Sequence, residues 1–502
     1  MLTAQSRTIS KYILATWGKL TRSNRGLAAA AVDPKFLAGP DGRWPVYIPV
    51  DESLPRLQGK LRRLLPDEDF KKIVVRQLPT APGSHGLLFL PYRYVVPGGR
   101  FNEMYGWDSY FIQLGLLRDN LMTLAKAMAD NCLYQVRHYG KILNANRTYY
   151  MGRSQPPFLT AMVLGVYRKT LDKHWVQTAL PQIEAYYHFW TSGDRLTASG
   201  LSRYWDSGEG PAPEAAFSER DAAGHTHYFL VKEYFRTHQI PDYDVSDFYD
   251  EKHDELTPLF YKGDRAMRES GFDPSHRFGP FSADITRYNP VCLNSLLYLM
   301  ELQLGEIFNI LDLPAIAAQW RKKAVTRASL VNQLLWDEST GLYLDYNYVK
   351  EKRRNYPFLT TFFPLWTGIA TPQQARHVAA NLPLFEQIGG LQTSTHRSGN
   401  QWDAPFGWAP LQMIAVQGLR RYGFNADADR ISEKFLSLVR DEYRRTGTIV
   451  EKYDVVQRGA DVEHQIHYGY RTNEVGFGWT NAVFEILLDE LPASVRRRVM
   501  AN

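Results

Sequence analysis

Cysteine is almost missing from this 502-residue chain, which has only Cys132 and Cys292. Both sit in apolar runs, NCLYQV and PVCLNSLL. They read as buried thiols, because a disulfide framework or a thiolate metal cluster needs more cysteines at closer spacing. Long apolar runs are lacking too. No segment is expected to reach the ~20 apolar residues of a membrane helix. At the start, MLTAQSRTISKYILATWGKL, Lys11 interrupts the best candidate for a secretory core, so a cytoplasmic protein without membrane contact is expected. Basic residues exceed acidic ones by six but form no long run, which leaves nucleic acid without an electrostatic footprint. No repeat with a period of about 20–50 residues is visible, which weighs against a solenoid.

What is present is apolar surface and aromatic rings. Hydrophobic residues make up 44% of the chain and aromatic ones 13%, enough for a large core. After residue 110 apolar side chains recur at spacings of three and four. Leu117, Leu121, Leu124, Met128, Cys132 and Val136 fall on one stripe. The same periodicity predicts helices over 158–172, 175–191, 228–238, 245–269, 291–312, 314–336, 357–369, 373–382, 405–421, 425–444 and 479–491. Strand-like runs are few. Long helices joined by short connections predict an all-α toroid of helical hairpins, with an α-solenoid as second choice. Residues 1–90 read differently, with helices over 8–22 and near 55–72. Residues 78–99, punctuated by proline and glycine, read as loop with short extended pieces. The chain therefore divides into an extension, 1–90, packed on a catalytic barrel, 91–502.

The polar residues that stand out lie between the helices. They fall in PGGRFNEMYGWDSYF (97–111), NANRTYYMGRSQPPF (144–158), RYWDSGEGPAPE (203–214), RESGFDPSHRF (268–278), QWDAPFGWAP (401–410), VEKYDV (450–455) and NEVGFGWTN (473–481). These loops recur at alternate helix junctions, which open on the same end of a toroid of hairpins, a common way to gather a site on a rigid scaffold. Aromatic residues beside carboxylates, amides and guanidinium groups suit a sugar, whose C–H faces pack on rings and whose hydroxyls need forked or charge-assisted hydrogen bonds. Hydrolysis of a glycosidic bond takes two carboxyl groups, one donating a proton and one activating water or attacking carbon. Asp108, Glu214, Asp273, Asp403, Glu451 and Glu474 are candidates, and residue chemistry alone does not choose among them. His276, His464 and His467 lack the third ligand motif of a zinc site.

PGGRFNEMYGWDSY and QWDAPFGWAP resemble, position for position, the two signature motifs of the trehalases, glycoside hydrolase family 37. NRTYYMGRSQPPF, ESGFD and EKYDV…GFGWTN extend the likeness over roughly residues 95–485. The resemblance implies an (α/α)6 barrel that cleaves α,α-trehalose into two glucoses with inversion, using neither metal nor organic cofactor. It implies Asp273 as general acid and Glu451 as general base. It also implies sugar contacts from Arg100, Trp107, Asp108, Asn144, Arg153, Ser154, Gln155, Glu214, the backbone of Gly271, and Trp402. Two expectations follow on charge: an arginine beside Glu451 keeps it ionised, and burial among aromatics keeps Asp273 protonated. Glu269 and Trp479 are expected to be structural. The expected partner is a small disaccharide or glucoside, and the expected state a monomer or weak oligomer.

Two segments depart from the family pattern. Ala212 in PAPE stands where the family carries a sugar-binding arginine, and a longer segment, 456–474, replaces a glycine-rich one that helps close the site. Arg220, Arg458 or Arg471 is expected to restore the charge. The alternative is a related α-glucosidase acting on another small glucoside, such as glucosylglycerol or glucosylglycerate.

Overall fold

The computed structural model of the chain describes residues 4–79, 85–218, 220 and 223–501; residues 80–84 of the predicted 78–99 loop lie outside the described residues. The first helix, α1 (Ala4–Leu20), packs on the far end of the chain. Strands β1 (Trp44–Ile48), β2 (Ile73–Gln77) and β3 (Leu87–Leu88) then form a small parallel sheet with β1 in the middle. It has its own apolar cluster, which includes Val46, Ile48, Leu61 and Ile73.

The main body is an (α/α)6 barrel. Its inner helices are α2 (Asp108–Arg118), α4 (Leu159–Thr170), α7 (Val291–Ile310), α9 (Phe363–Thr367), α11 (Ala409–Arg421) and α13 (Gly478–Glu490). Each packs on the next, and α13 packs back on α2, so the ring closes. The outer layer includes α3 (Met122–Tyr139), α5 (Lys173–Trp190), α8 (Pro314–Leu334), α10 (Pro372–Ala380) and α12 (Asn425–Thr446). The stripe read as continuous through Leu117–Val136 breaks between α2 and α3, where Asn120 takes a positive φ.

Helix α6 (Pro258–Ser270) begins later than periodicity predicts. Residues 245–257 are a 3-10 turn and a short hairpin instead. The start is fixed by Thr257, whose side chain accepts from the Phe260 N–H, and by Pro258 in the first turn, a strong local start signal. Gly271, in the left-handed region at φ 78°, ends it. Helix α7 corrects the expectation about membranes. At 20 residues it is long and apolar enough to cross one by length and composition, but 72% of that window is buried as part of the inner ring.

Close packing of α6 against the chain that follows it is tested at Gly263. A Cβ there would lie 2.1 Å from the carbonyl oxygen of Ala283. Alanine ordinarily stabilises a helix interior by up to about 1 kcal/mol over glycine. Here Gly263→Ala is expected to lower unfolding free energy by about 1–3 kcal/mol, the usual cost of overpacking. Denaturant unfolding checks this, and a variant as stable as the parent sinks it.

Candidate active site

Most of the loops singled out by composition feed the first turn of an inner helix. Residues 97–107 lead into α2, 144–158 into α4, 271–290 into α7, 401–408 into α11 and 450–477 into α13. Their side chains converge on a cavity that is partly open to solvent. Arg100, Trp107, Asp108, Asn144, Arg153, Gln155, Glu214, Gly271, Asp273, Trp402 and Glu451 all line it. Ser154 does not: its hydroxyl meets Tyr186 Oη at 2.9 Å, and its N–H donates to Glu269.

Asp273 and Glu451 differ in setting. The Asp273 side chain keeps 31% of its exposure, whereas Glu451 keeps 2%. The backbone of the Asp273 loop is pinned by the second signature. Gln401 Nε2 donates to the Asp273 carbonyl at 2.6 Å, the Trp402 N–H to the Pro274 carbonyl, and Asp403 accepts the His276 N–H at 2.9 Å. Asp403 is itself held by the hydroxyls of Tyr356, Ser394 and Ser398, and Trp402 stacks on Trp408 at 3.8 Å. Strand β4 (Phe406–Trp408) pairs antiparallel with β5 (Lys452–Asp454), setting Trp408 opposite Lys452. This ladder carries the preceding residue, Glu451, to the cavity.

Burial pushes the pKa of Glu451 up, while Lys452 and the Tyr470 hydroxyl pull it down without cancelling the rise. Lys452 Nζ lies 3.2 Å from Glu451 Oε2, and Tyr470 donates to Oε1. The cation beside Glu451 is therefore a lysine, not the expected arginine. Arg100 instead covers the Tyr470 ring, 4.9 Å from its centroid. Asp108 lies well above the usual carboxylate range, first because of burial and then because the charges of Glu451 and Asp273 repel its ionised form. Arg153 forks to Glu214 and Asp206, and these acids raise its pKa against the opposing effect of burial.

Several cavity residues escaped the sequence reading. Lys35 comes from the N-terminal segment, with Nζ 3.5 Å from Asp33 and Glu103. Tyr105 and Tyr150 meet hydroxyl to hydroxyl on the wall. Arg268, on the last turn of α6, is paired with buried Asp264 at 3.1 Å and reaches to 3.9 Å from Asp273. Its only sequence signal is its place one helical turn before Gly271. Phe477 and Trp479 also line the cavity, Trp479 against the structural role expected of it. Glu269 is satisfied by Ser154, Arg195 and Trp205, as its structural reading expects.

Arg220, Arg458 and Arg471 do not line the cavity. They bond the Gly224 carbonyl, Asp441 with Ser437, and the Glu463 carbonyl respectively. Ala212 is fully buried, its N–H donating to Tyr228, which in turn donates to Asp264. Arg265 donates to the neighbouring Pro211 carbonyl, and Arg268 pairs with the same Asp264. Among the described residues no group of three His, Cys, Asp or Glu side chains is placed to hold a metal ion.

A sequence model of the Trehalase family matches residues 45–492. A cytosolic neutral trehalase of Emericella nidulans is 35% identical over 97% of this chain and 72% of its own length. One from Neurospora crassa is 38% identical over 80% of this chain and 59% of its own. Among solved structures, the neutral trehalase Nth1 from Saccharomyces cerevisiae superimposes with a TM-score of 0.81 at 32% identity, covering 99% of this chain and 96% of that one. A mannosylglycerate hydrolase from Thermus thermophilus shares the fold at a TM-score of 0.53 and 19% identity, over 78% of this chain and 95% of that one. With a family match over most of the chain and relatives covered along nearly all of it, the chain belongs to the trehalase family of glycoside hydrolases.

Proposed function

We propose that this enzyme hydrolyses α,α-trehalose to two glucose molecules with inversion, with Asp273 as general acid and Glu451 as general base. One observation carries the reading: two carboxyl groups 178 residues apart in sequence line a single cavity walled by tryptophans and guanidinium groups. Asp273 gives its proton to the bridging oxygen. Glu451 takes a proton from water as that water attacks the anomeric carbon from the opposite face. The attacked ring leaves as β-glucose and the other as α-glucose. Trp107, Trp402 and Trp479 offer faces for the sugar C–H groups, and Arg100, Arg153 and Arg268 offer forked donors for hydroxyls. The relatives named trehalases favour trehalose over another glucoside. The relatives named cytosolic neutral trehalases support a cytoplasmic location.

Asp273→Ala and Glu451→Gln are each expected to lower kcat by at least ~10²–10⁴, the span of a lost acid or base, with unfolding temperature unchanged. Near-normal turnover by either variant removes that residue from the reaction. Proton NMR within the first minutes is expected to show β- and α-glucose in equal amounts; α-glucose alone means retention. Turnover of glucosylglycerol or glucosylglycerate without turnover of trehalose overturns the substrate.

Tyr470→Phe gives a signed pH test. Its hydroxyl favours the ionised form of Glu451, so removing it raises the Glu451 pKa further. The ionised base then persists only at higher pH. The acid limb of kcat/KM is expected to move up by about one unit or more, the size of a hydrogen bond to a charged group. A downward move or no move contradicts the role.

A further inference from the structure

A second cleft, open to solvent, lies between the end of the helix His227–Thr237, the loop after Asn347 and the turn at 396–398. It does not share residues with the catalytic cavity. Five cationic side chains line it, Lys350, Lys352, Arg353, Arg354 and Arg397, against one carboxylate, Asp242. That carboxylate is already engaged by Arg354 at 2.6 Å. Lys350 and Arg353 hydrogen-bond the backbone carbonyls of Asp242 and Gln333, with the carboxylates of Asp284 and Asp337 respectively within electrostatic reach outside the cleft lining. Lys352 and Arg397 are exposed and have no ion-pair partner among the described residues. A concave surface with one sign of charge focuses its field and concentrates counter-ions. Two flat ring pairs flank the charges: His238 on Tyr234 and His396 on Tyr356, each with centroids 4.0 Å apart.

The cleft backs onto the loop that carries Asp273. Arg354 Nε donates to the Arg277 carbonyl at 2.7 Å, and its Nη2 to the His276 carbonyl at 3.4 Å. His276 lines the cleft, and its Nε2 is buried without a hydrogen-bond partner among the described residues. One guanidinium therefore faces the cleft, Asp242 and the main chain of the acid loop together. An anion entering the cleft competes with Asp242 for that guanidinium and shifts its hold on the two carbonyls.

We propose that this cleft is an effector site for a small polyphosphorylated ligand, whose binding is transmitted through Arg354 to residues 273–278. The concavity favours a compact ligand over an acidic peptide or a lipid surface, which would engage an exposed face.

The test uses the full chain and inorganic pyrophosphate as probe, with no sugar present. Calorimetry is expected to show saturable binding at one site, weakened ~10-fold or more in Lys352→Glu/Arg397→Glu, since each reversal turns attraction into repulsion. Hydrogen exchange of peptides covering 271–278 is expected to change on saturation in the parent and not in the variant. Both substitutions are on exposed side chains outside the catalytic cavity, so basal trehalose turnover is expected to stay within about twofold, in line with near-neutral surface changes. Absence of saturable binding overturns the proposal. So does binding of equal strength in the variant, or saturation that leaves exchange at 271–278 unaltered.

Discussion

A carboxylate withdrawn from water persists only beside donors that replace the water. The catalytic cavity gathers four carboxyl groups, Asp108, Glu214, Asp273 and Glu451, and much of the surrounding structure answers that demand. Glu214 has Arg153, Glu451 has Lys452 and Tyr470, and Asp108, with burial and two like charges against it, is driven toward its neutral form. Further back, Asp264 lies below the usual carboxylate range: burial opposes its charge, but Arg268 and His227 together outweigh it. Two of these pairings also bring a guanidinium, Arg153 and Arg268, to the cavity wall. The same interactions that make buried acid tolerable thus position the donors a sugar needs.

The two signature motifs divide this work unequally. The first brings Arg100, Trp107 and Asp108 to the cavity wall itself. The second acts mostly from behind. Gln401 and Asp403 hold the backbone at Asp273 and three residues beyond it, and β4 fixes β5 and with it Glu451. One short segment therefore braces both carboxyl-bearing loops, although only Trp402 of it lines the cavity.

Local rules read the helices well, including those expected over 8–22 and 55–72 of the extension, where helices run over Ala4–Leu20, Leu54–Leu64 and Asp67–Lys71, and miss the extension's sheet. Helices α7, α8 and α12 fall within two residues of the periodic segments 291–312, 314–336 and 425–444, because each repeats its apolar stripe over five turns or more. Residues 245–257 carry a similar density of apolar residues but are cut off by Thr257–Pro258, a start signal that periodicity ignores. The parallel sheet of β1–β3 depends on distant pairings, such as Trp44 with Ile73 and Val46 with Leu87, which no local window registers. The site was legible where a motif marks it. Lys35, Arg268 and Tyr470 were not, because each reaches the cavity through tertiary approach, from the extension, from a helix end and from the divergent segment 456–474.

The N-terminal segment is bound into the site by Arg147. Its guanidinium donates to the carbonyls of Ala30, Ala31 and Val32 and to Glu103, while Tyr149 bonds Asp33 and Lys35 lines the cavity. The family match begins only at residue 45. A fragment trimmed to that boundary would keep every signature residue yet lose three acceptors for a fully buried guanidinium and the ammonium facing Glu103. Part of the cavity wall therefore comes from upstream of the residues that the family's sequence model matches.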